Sequence, residues 1–379
     1  MIEICKSMSE ISVDEFQGLD NDNPFMKYDF LWSLESSGCV SDAFGWAPNH
    51  LIEKNEQGLI TCFTPAYLKY NSFGEYIFDH AWVDFYNKVN IKYFPKLLVA
   101  IPFTPIRSCK FLTKSNVVNG KEKSIKAIKS LLDMHDISSA HINFIEDPEI
   151  GILQDNNFIK RNSKQFIWDN QNYKNFDEFL HSLNARKRKM INKERKSLHS
   201  DGINFDRVEG QNITSEQLDN FFKHYLDTCN RKWGNAYLNQ IFFENLVDKM
   251  PDNLLLIIAK KNGNTIASSL HLHNDHTLYG RYWGASGFYK FLHYELCYYQ
   301  AIEYAIEKRM KTIESGAGGS HKISRGYKPT LTYSAHFFQN QQIHNIVSEF
   351  IEKEGEYINK EVDYLSSFNP FKKTGGLND

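Results

Sequence analysis

The sequence has no long apolar run. Its longest, near Leu97 to Phe103 and Leu254 to Ala259, fall far short of the ~20 residues that a membrane-crossing helix needs. It also lacks any Cys-x-x-Cys pair. The six cysteines, Cys5, Cys39, Cys62, Cys109, Cys229 and Cys297, are scattered over 379 residues, which argues for reduced thiols and against a zinc knuckle or a disulfide framework. Neither sign of charge dominates. With 44 Lys+Arg against 46 Asp+Glu, the formal net charge of -2 argues against a chain that coats nucleic acid or an anionic membrane over its whole surface. Met1-Ile-Glu-Ile-Cys-Lys shows no basic region leading into an apolar run, so no signal peptide and a cytoplasmic location are expected. Two catalytic signatures are missing as well. Ser315-Gly-Ala-Gly-Gly-Ser lacks the Gly-Lys-Ser/Thr ending of a phosphate-binding P-loop. No cysteine or serine sits in a nucleophile-elbow pattern, so no covalent enzyme intermediate is expected.

What remains is a chain with 41% hydrophobic and 14% aromatic residues, long enough for two packed units, expected over 1–170 and 171–379. The first half reads as a helix at Lys27 to Ser36, a hairpin turning at Gly58, a buried strand at Leu97 to Phe103, a helix at Glu122 to Asp133 and strands at Ala140 to Ile145 and Lys164 to Trp168. The second half repeats the order, with a hairpin turning at Asn262-Gly263. In both halves the hairpin glycine is followed at similar distance by Gly-charged-Tyr, Gly74-Glu-Tyr and Gly280-Arg-Tyr, which suggests an internal duplication. Between them, Phe176, Phe179, Leu180, Leu183, Met190, Ile191 and Leu198 recur at helical spacing, predicting one helix over 176–199. Its other faces carry Arg186, Lys187, Arg188, Lys189, Lys193, Arg195 and Lys196, either a solvated basic face or a clamp for phosphates. A further helix is expected towards the C-terminus.

The residues richest in chemistry run from Tyr279 to His336. Tyr279-Gly-Arg-Tyr-Trp-Gly is a strand with Arg281 among aromatics, including Trp283. A helix from Phe291 to Ile306 follows, apolar on almost every face, with His293, Cys297 and Gln300 sharing one side and Glu295 pointing elsewhere. Then a short strand carries Glu314 into the glycine-rich loop before His321, Lys322 and Arg325. A carboxylate able to take a proton from an attacking ammonium, beside cations able to hold an anionic donor, is what acyl transfer to an amine requires. On its own, a strand-end glutamate such as Glu314 is more often an ion-pair partner than a catalyst, and His321 reads also as a loop-pinning hydrogen bond. His271-Leu-His-Asn-Asp-His276 fits a metallohydrolase pattern, but it falls on a hairpin, and no metal is expected at His271, His273 and His276.

A broader set of motifs resembles the FemABX-like branch of the GNAT superfamily, in the group labelled peptidoglycan biosynthesis/recognition. They are Asn23-Pro-Phe, Gly45-Trp-Ala-Pro-Asn-His-Leu51, Tyr70-Asn-Ser-Phe-Gly-Glu-Tyr-Ile-Phe-Asp79, Tyr93-Phe-Pro-Lys-Leu-Leu-Val-Ala-Ile-Pro-Phe-Thr-Pro105, Arg186-Lys-Arg-Lys, Lys232-Trp-Gly, Tyr279-Gly-Arg-Tyr-Trp-Gly, Cys297-Tyr-Tyr-Gln-Ala-Ile-Glu and His321-Lys-Ile-Ser-Arg-Gly-Tyr. The resemblance implies an α/β (α+β) fold of two tandem GNAT-like domains, each a mixed twisted sheet flanked by helices. It implies a transferase passing an acyl or aminoacyl group from acyl-CoA or aminoacyl-tRNA to an amine, as in a peptidoglycan precursor, with no tightly bound cofactor. Glu314, His321 and His293 are then the catalytic candidates. Arg281, Trp283, Lys322, Arg325, Arg186 and Arg188 are expected at the donor, with tRNA reached through the basic helix at 184–196, and His50, Tyr70, Glu75 and Asp79 at the acceptor. One departure stands out: in Arg281-Tyr-Trp-Gly284-Ala-Ser-Gly287 the second glycine comes one residue later than in the acetyltransferase pyrophosphate loop, which favours tRNA or an unusual acyl donor. The other readings are a non-catalytic module recognising a cell-wall or peptide ligand, and the metallohydrolase.

Overall fold

The architecture is that of a computed structural model, which describes residues 2–19, 21–232, 234–316 and 318–372. Trp233 of the Lys232-Trp-Gly motif and Ala317 of the glycine-rich loop lie outside the described residues. In chain order the strands are β1 (Ile2–Cys5), β2 (Trp46–Pro48), β3 (His50–Lys54), β4 (Ile60–Thr64), β5 (Ala66–Lys69), β6 (Lys96–Val99), β7 (Leu112–Thr113), β8 (Ser139–Ile145), β9 (Ile159–Asp169), β10 (Ile203–Glu209), β11 (Leu254–Lys261), β12 (Asn264–His273), β13 (Thr277–Ala285), β14 (Thr312–Glu314) and β15 (Lys328–Phe338). The longer helices are α1 (Tyr28–Ser36), α2 (His80–Lys88), α3 (Gly120–His135), α4 (Asp147–Asp155), α5 (Phe176–Ser182), α6 (Ala185–Ser200), α7 (Ser215–Lys232), α8 (Gln240–Lys249), α9 and α10 (Gln341–Ser366). Helix α9 is continuous from an α-turn (Leu292–Tyr294) through a π segment (Glu295–Tyr299) to a second α segment (Gln300–Glu307).

The chain separates into two compact units, which take up residues from both sides of the expected boundary near 170. The first comprises Met1–Ser163, Tyr237–Phe242 and Leu331–Lys360. Its larger strand set runs β2-β5-β6-β8-β15, with β6 and β8 parallel and the others antiparallel; β1, β3, β4 and β7 form a separate sheet. Helix α3 joins the parallel pair and buries Ile125, Ile128 and Leu132 against Leu97, Val99 and Ile142, an apolar stripe at helical spacing meeting strands that are apolar on the facing side.

The second unit comprises Lys164–Ala236, Phe243–Thr330 and Glu361–Asp379. Its strands run β10-β11-β12-β13-β14-β9, with only β13 and β14 parallel and α9 joining them. Leu292, Leu296, Tyr299 and Ile302 of α9 pack with Leu255, Ile257, Ala267, Leu278 and Ile313 of the sheet. Each unit thus contains one parallel pair bridged by a helix and closed by an antiparallel strand, β15 in the first and β9 in the second. The repetition is one of topology.

The local echo fails. Gly280 lies within β13, whereas Gly74 occupies a turn at φ +79 outside any strand. The helix expected over 176–199 is two helices. Leu183 is extended (φ -77, ψ 152), and the Asn184 side chain caps α6 by accepting from the Lys187 N–H at 3.0 Å. The strand expected to Phe103 ends at Val99.

Candidate functional site

The second unit holds the candidate site. Strands β13 and β14 pair only from Thr277–Thr312 to Tyr279–Glu314; β14 then stops, while β13 continues to Ala285 against β12. The two parallel strands therefore fork at their carboxyl ends, where ligands of α/β sheets are received. Along Gly280–Ala285 the β14-facing edge of β13 has no strand partner among the described residues, so its backbone groups border the fork. Register against β12 slips at the same point: Leu270 opposes Tyr282 and His271 opposes Gly280, leaving Arg281 as the extra residue of a bulge, a device that re-aims a side chain.

Gly284 belongs to the strand, as expected for Tyr279-Gly-Arg-Tyr-Trp-Gly. A Cβ there would lie 2.1 Å from the His224 carbonyl, so the glycine lets the backbone of α7 press onto β13. This contact brings the end of α7 beside the fork. The space between the strand end, the start of α9 and the end of α7 is a cavity of ≈ 500 Å³ whose walls include Trp283, Tyr289, Phe291 and Tyr294, the imidazoles of His293 and His321, and the cations Arg231, Lys232 and Lys290. No acid is among the described residues lining it. Phe288, 90% exposed, stands at its rim. A wall of rings and cations suits a flat, anionic ligand, through stacking and charge together.

The imidazoles are built into the wall. The His321 Nε2 is hydrogen-bonded to the Tyr298 hydroxyl at 3.1 Å, and its ring lies 5.4 Å from Tyr294. His293 sits 5.0 Å from Trp283 and 6.4 Å from His321. Burial holds His293 down at about 3, assisted by nearby cations, so it is neutral at physiological pH. Burial also lowers His321, with Arg325 and Lys322 adding to the shift. Lys322 is buried, donates to the carbonyls of Ser315 and Gly316 (both 2.9 Å), and is brought down to about 8 by desolvation. It ties the glycine-rich loop at the fork.

Arg325 has a different role from the donor contact expected of it. Its guanidinium Nη2 donates to both carboxylate oxygens of Glu194 of α6 (2.9 and 2.8 Å), Nε to the Tyr299 hydroxyl (2.8 Å) and Nη1 to the His321 carbonyl (2.9 Å), and the group stacks 3.6 Å from the Tyr294 centroid. The Tyr299 hydroxyl donates to Glu194 as well. Arg195, expected on the basic face, is likewise turned inward onto Glu295 and Glu303. The π segment corrects the reading of α9: Gln300 donates to Glu295 across five residues at 2.9 Å, so Glu295 shares a face with Gln300 after all. Arg186 is exposed in the first turn of α6 and Arg188 donates to the Leu183 carbonyl; neither lines the cavity.

Glu314 is buried as the last residue of β14, opposite Tyr279. Strand alternation puts it on the face away from Leu278, Ile313 and α9. It stands at the fork but on the other side of the sheet from His293 and His321, so closeness in sequence did not translate into one cluster.

Of the four acceptor candidates of the first unit, only Glu75 and Asp79 are brought together. His50 is fully buried, with Nε2 2.7 Å from Glu35 and Nδ1 accepting from the Ala66 N–H. Glu75 and Asp79 are buried around Lys96, which pairs with Glu75 at 2.8 Å and with Asp79 more closely still. Only Tyr70 reaches the surface, 52% exposed. Sequence reading missed the rest of this network. The Asp79 carboxylate accepts from Tyr93, whose hydroxyl meets His141, and His141 meets His336 at 2.8 Å. Isolated histidines 195 positions apart carry no sequence signal of pairing.

Among the described residues no group of His, Cys, Asp and Glu could hold a metal ion, and His271 is buried against Ser269 while His276 is exposed on the turn. All six cysteines are free. Burial pushes Cys5, Cys109 and Cys297 up to about 12 and Cys62 to about 11, so these are protonated thiols at neutral pH. Iodoacetamide treatment near pH 7 is therefore expected to leave ligand binding and turnover unchanged; inactivation protected by substrate would overturn that expectation. No described helix is long and apolar enough to cross a membrane.

The fold is shared with solved proteins. The crystal structure of FemX aligns at a TM-score of 0.54 and 13% identity, over 89% of this chain and 98% of that one. The C-terminal domain of a putative lysylphosphatidylglycerol synthetase from Agrobacterium fabrum aligns at 0.52 and 9%, over 91% and 97%. A conserved protein of unknown function from Bacteroides thetaiotaomicron aligns at 0.52 and 13%, over 89% and 99%. At such identities the likeness is one of fold, the tandem acyltransferase-type α/β fold expected from the motifs. The family itself follows from sequence: the chain matches the FemAB-like family of peptidoglycan biosynthesis/recognition over residues 7–373 and belongs to it. No curated protein matches it.

Proposed function

We propose that the protein transfers an acyl or aminoacyl group from an activated donor to an amine, in peptidoglycan or a related envelope pathway. The observation that carries this reading is the fork between β13 and β14 opening beside a cavity lined with rings and cations and, among its described residues, no acid. Family membership, and fold similarity to FemX, support it.

In this reading the carrier of the donor, coenzyme A or the 3′ end of a tRNA, lies in the cavity against Trp283 and the cations. Its acyl carbonyl reaches into the fork. Backbone N–H groups of β13 bordering the fork would donate to the developing oxyanion. Glu314, from the other face, takes the proton as the amine nitrogen attacks. The new C–N bond forms, the C–O or C–S bond to the carrier breaks, and the carrier's oxygen or sulfur leaves with a proton. His321 and His293, held neutral, shape the wall and offer ring nitrogens without adding charge. The exposed cations of α6, Arg186, Lys189, Lys193 and Lys196, favour a polyanionic carrier such as tRNA.

Supplying labelled aminoacyl-tRNA and labelled acyl-CoA in parallel, with peptidoglycan precursors as acceptors, tests this. Label is expected to move to an amine. Glu314→Gln is expected to lower turnover at least about tenfold with donor binding retained. Binding of either carrier without any transfer by the wild-type protein would favour a recognition module instead.

A further inference from the structure

Helix α10, which belongs to the first unit as far as Lys360, is fixed there on its inner side. Ile343, Val347 and Ile351 are buried with Trp82 and Phe338. Glu354 accepts a two-pronged bond from Arg161 (2.6 and 2.8 Å), and Asn359 accepts from Asn162 at 3.1 Å. These contacts set the rotation of the helix and turn another face outward.

That outward face is apolar along a seam. Ile346, Phe350, Tyr357 and Tyr364 are 51%, 46%, 74% and 63% exposed. Phe350, Tyr357 and Tyr364 recur every seven residues, and Ile346, Lys353 and Lys360 make a second heptad series beside them, the spacing of a helix–helix seam. Glu349 and Glu356 flank the same edge as the lysines. Lys360 and Glu356 pair only at 3.9 Å and stay 76% and 69% exposed, so both remain available.

We infer that this seam binds the same seam of a second copy of the chain, antiparallel, about a two-fold axis at the level of residue 355 along the helix. Helix geometry decides both partner and direction. About that centre Ile346 of one copy opposes Tyr364 of the other, Phe350 opposes Lys360, and Lys353 opposes Tyr357. Glu349 and Glu356 then fall beside Lys360 and Lys353 of the second copy. Every ammonium meets an aromatic face and a carboxylate, and each pair occurs twice by symmetry. A parallel pairing would instead stack Lys353 on Lys353 and Lys360 on Lys360. The matched length from Ile346 to Tyr364 is about 27 Å at 1.5 Å per residue, five turns of seam.

Sedimentation velocity of the full chain over a dilution series tests the inference. A dimer is expected at about 100 µM, dissociating on dilution. Lys353→Glu, which sets two acids together on either side of the two-fold axis, is expected to weaken it about tenfold, and adding Glu356→Lys to restore it. Both positions are exposed, so folding is preserved, and circular dichroism checks this. Removing the rings with Phe350→Ala and Tyr357→Ala is expected to give single copies. A wild-type protein of single-copy mass at about 100 µM would overturn the inference. So would a dimer indifferent to Lys353→Glu and to the double alanine variant.

Discussion

Glu194→Ala is expected to destabilise the second unit by about 3–5 kcal/mol, the usual cost of leaving one member of a buried ion pair alone. The side chains of Arg325 and Glu194 are only 4% and 8% exposed, and the carboxylate accepts from both the guanidinium and the Tyr299 hydroxyl. Without it, Arg325 keeps its bonds to Tyr299 and the His321 carbonyl but remains a buried cation with no counter-charge. Arg325→Ala strands the carboxylate in the same way. Replacing both with methionine is expected to recover most of the loss, because the desolvation cost of each charge goes with it. Urea unfolding of the two single variants and the double variant measures this. Equal losses in all three would show that packing, not charge, holds the site. Because Arg325 also fixes the His321 carbonyl, the single variants should weaken ligand binding in the cavity even where they remain folded.

Acid is expected to destabilise the protein well before its carboxylates titrate. Burial lowers His271 and His293 to about 3, against an unfolded value near 6.5. Between those values the unfolded chain binds a proton at each site that the folded chain refuses. The stability associated with the neutral rings is therefore complete above about pH 6.5 and lost progressively as pH falls towards 3. At pH 5 the two together cost about 4 kcal/mol relative to pH 7. His141 and His336, buried side by side and held well below the usual histidine range by desolvation, add to the same slope in the first unit. Urea midpoints at pH 7 and pH 5 give the size, and His271→Asn should flatten the slope. Equal stability at the two pH values would show that these rings accept protons when folded.

The candidate site was legible in part. Arg281, Trp283, Glu314, His321 and Lys322 stand together in one stretch of sequence, and the structure gathers them around one strand fork. What the stretch could not show was the side of the sheet each residue takes. Glu314 and His321 are seven residues apart, yet alternation within β14 and the turn after it send them to opposite faces. Arg325 looked like an anion-binding cation because its counter-charge, Glu194, lies 131 positions away on α6. In α9, ideal helical spacing misplaced Glu295 because the π segment inserts one residue into a turn.

By itself the sequence determined the elements whose signals are local: the hairpins turning at Gly58 and Asn262-Gly263, the strand–helix–strand order around Tyr279 to Glu314, and the buried nature of α9. It also carried the motifs that mark the family. Tertiary structure alone decided which strands complete each unit. β9 and β15 each serve a unit built mainly from the other half of the chain, a choice governed by hydrogen-bonding edges left open by β14 and β8 and invisible to any local pattern. It also decided which charges are sensors or binders and which are braces, since that depends on whether an opposite charge shares the same dry space.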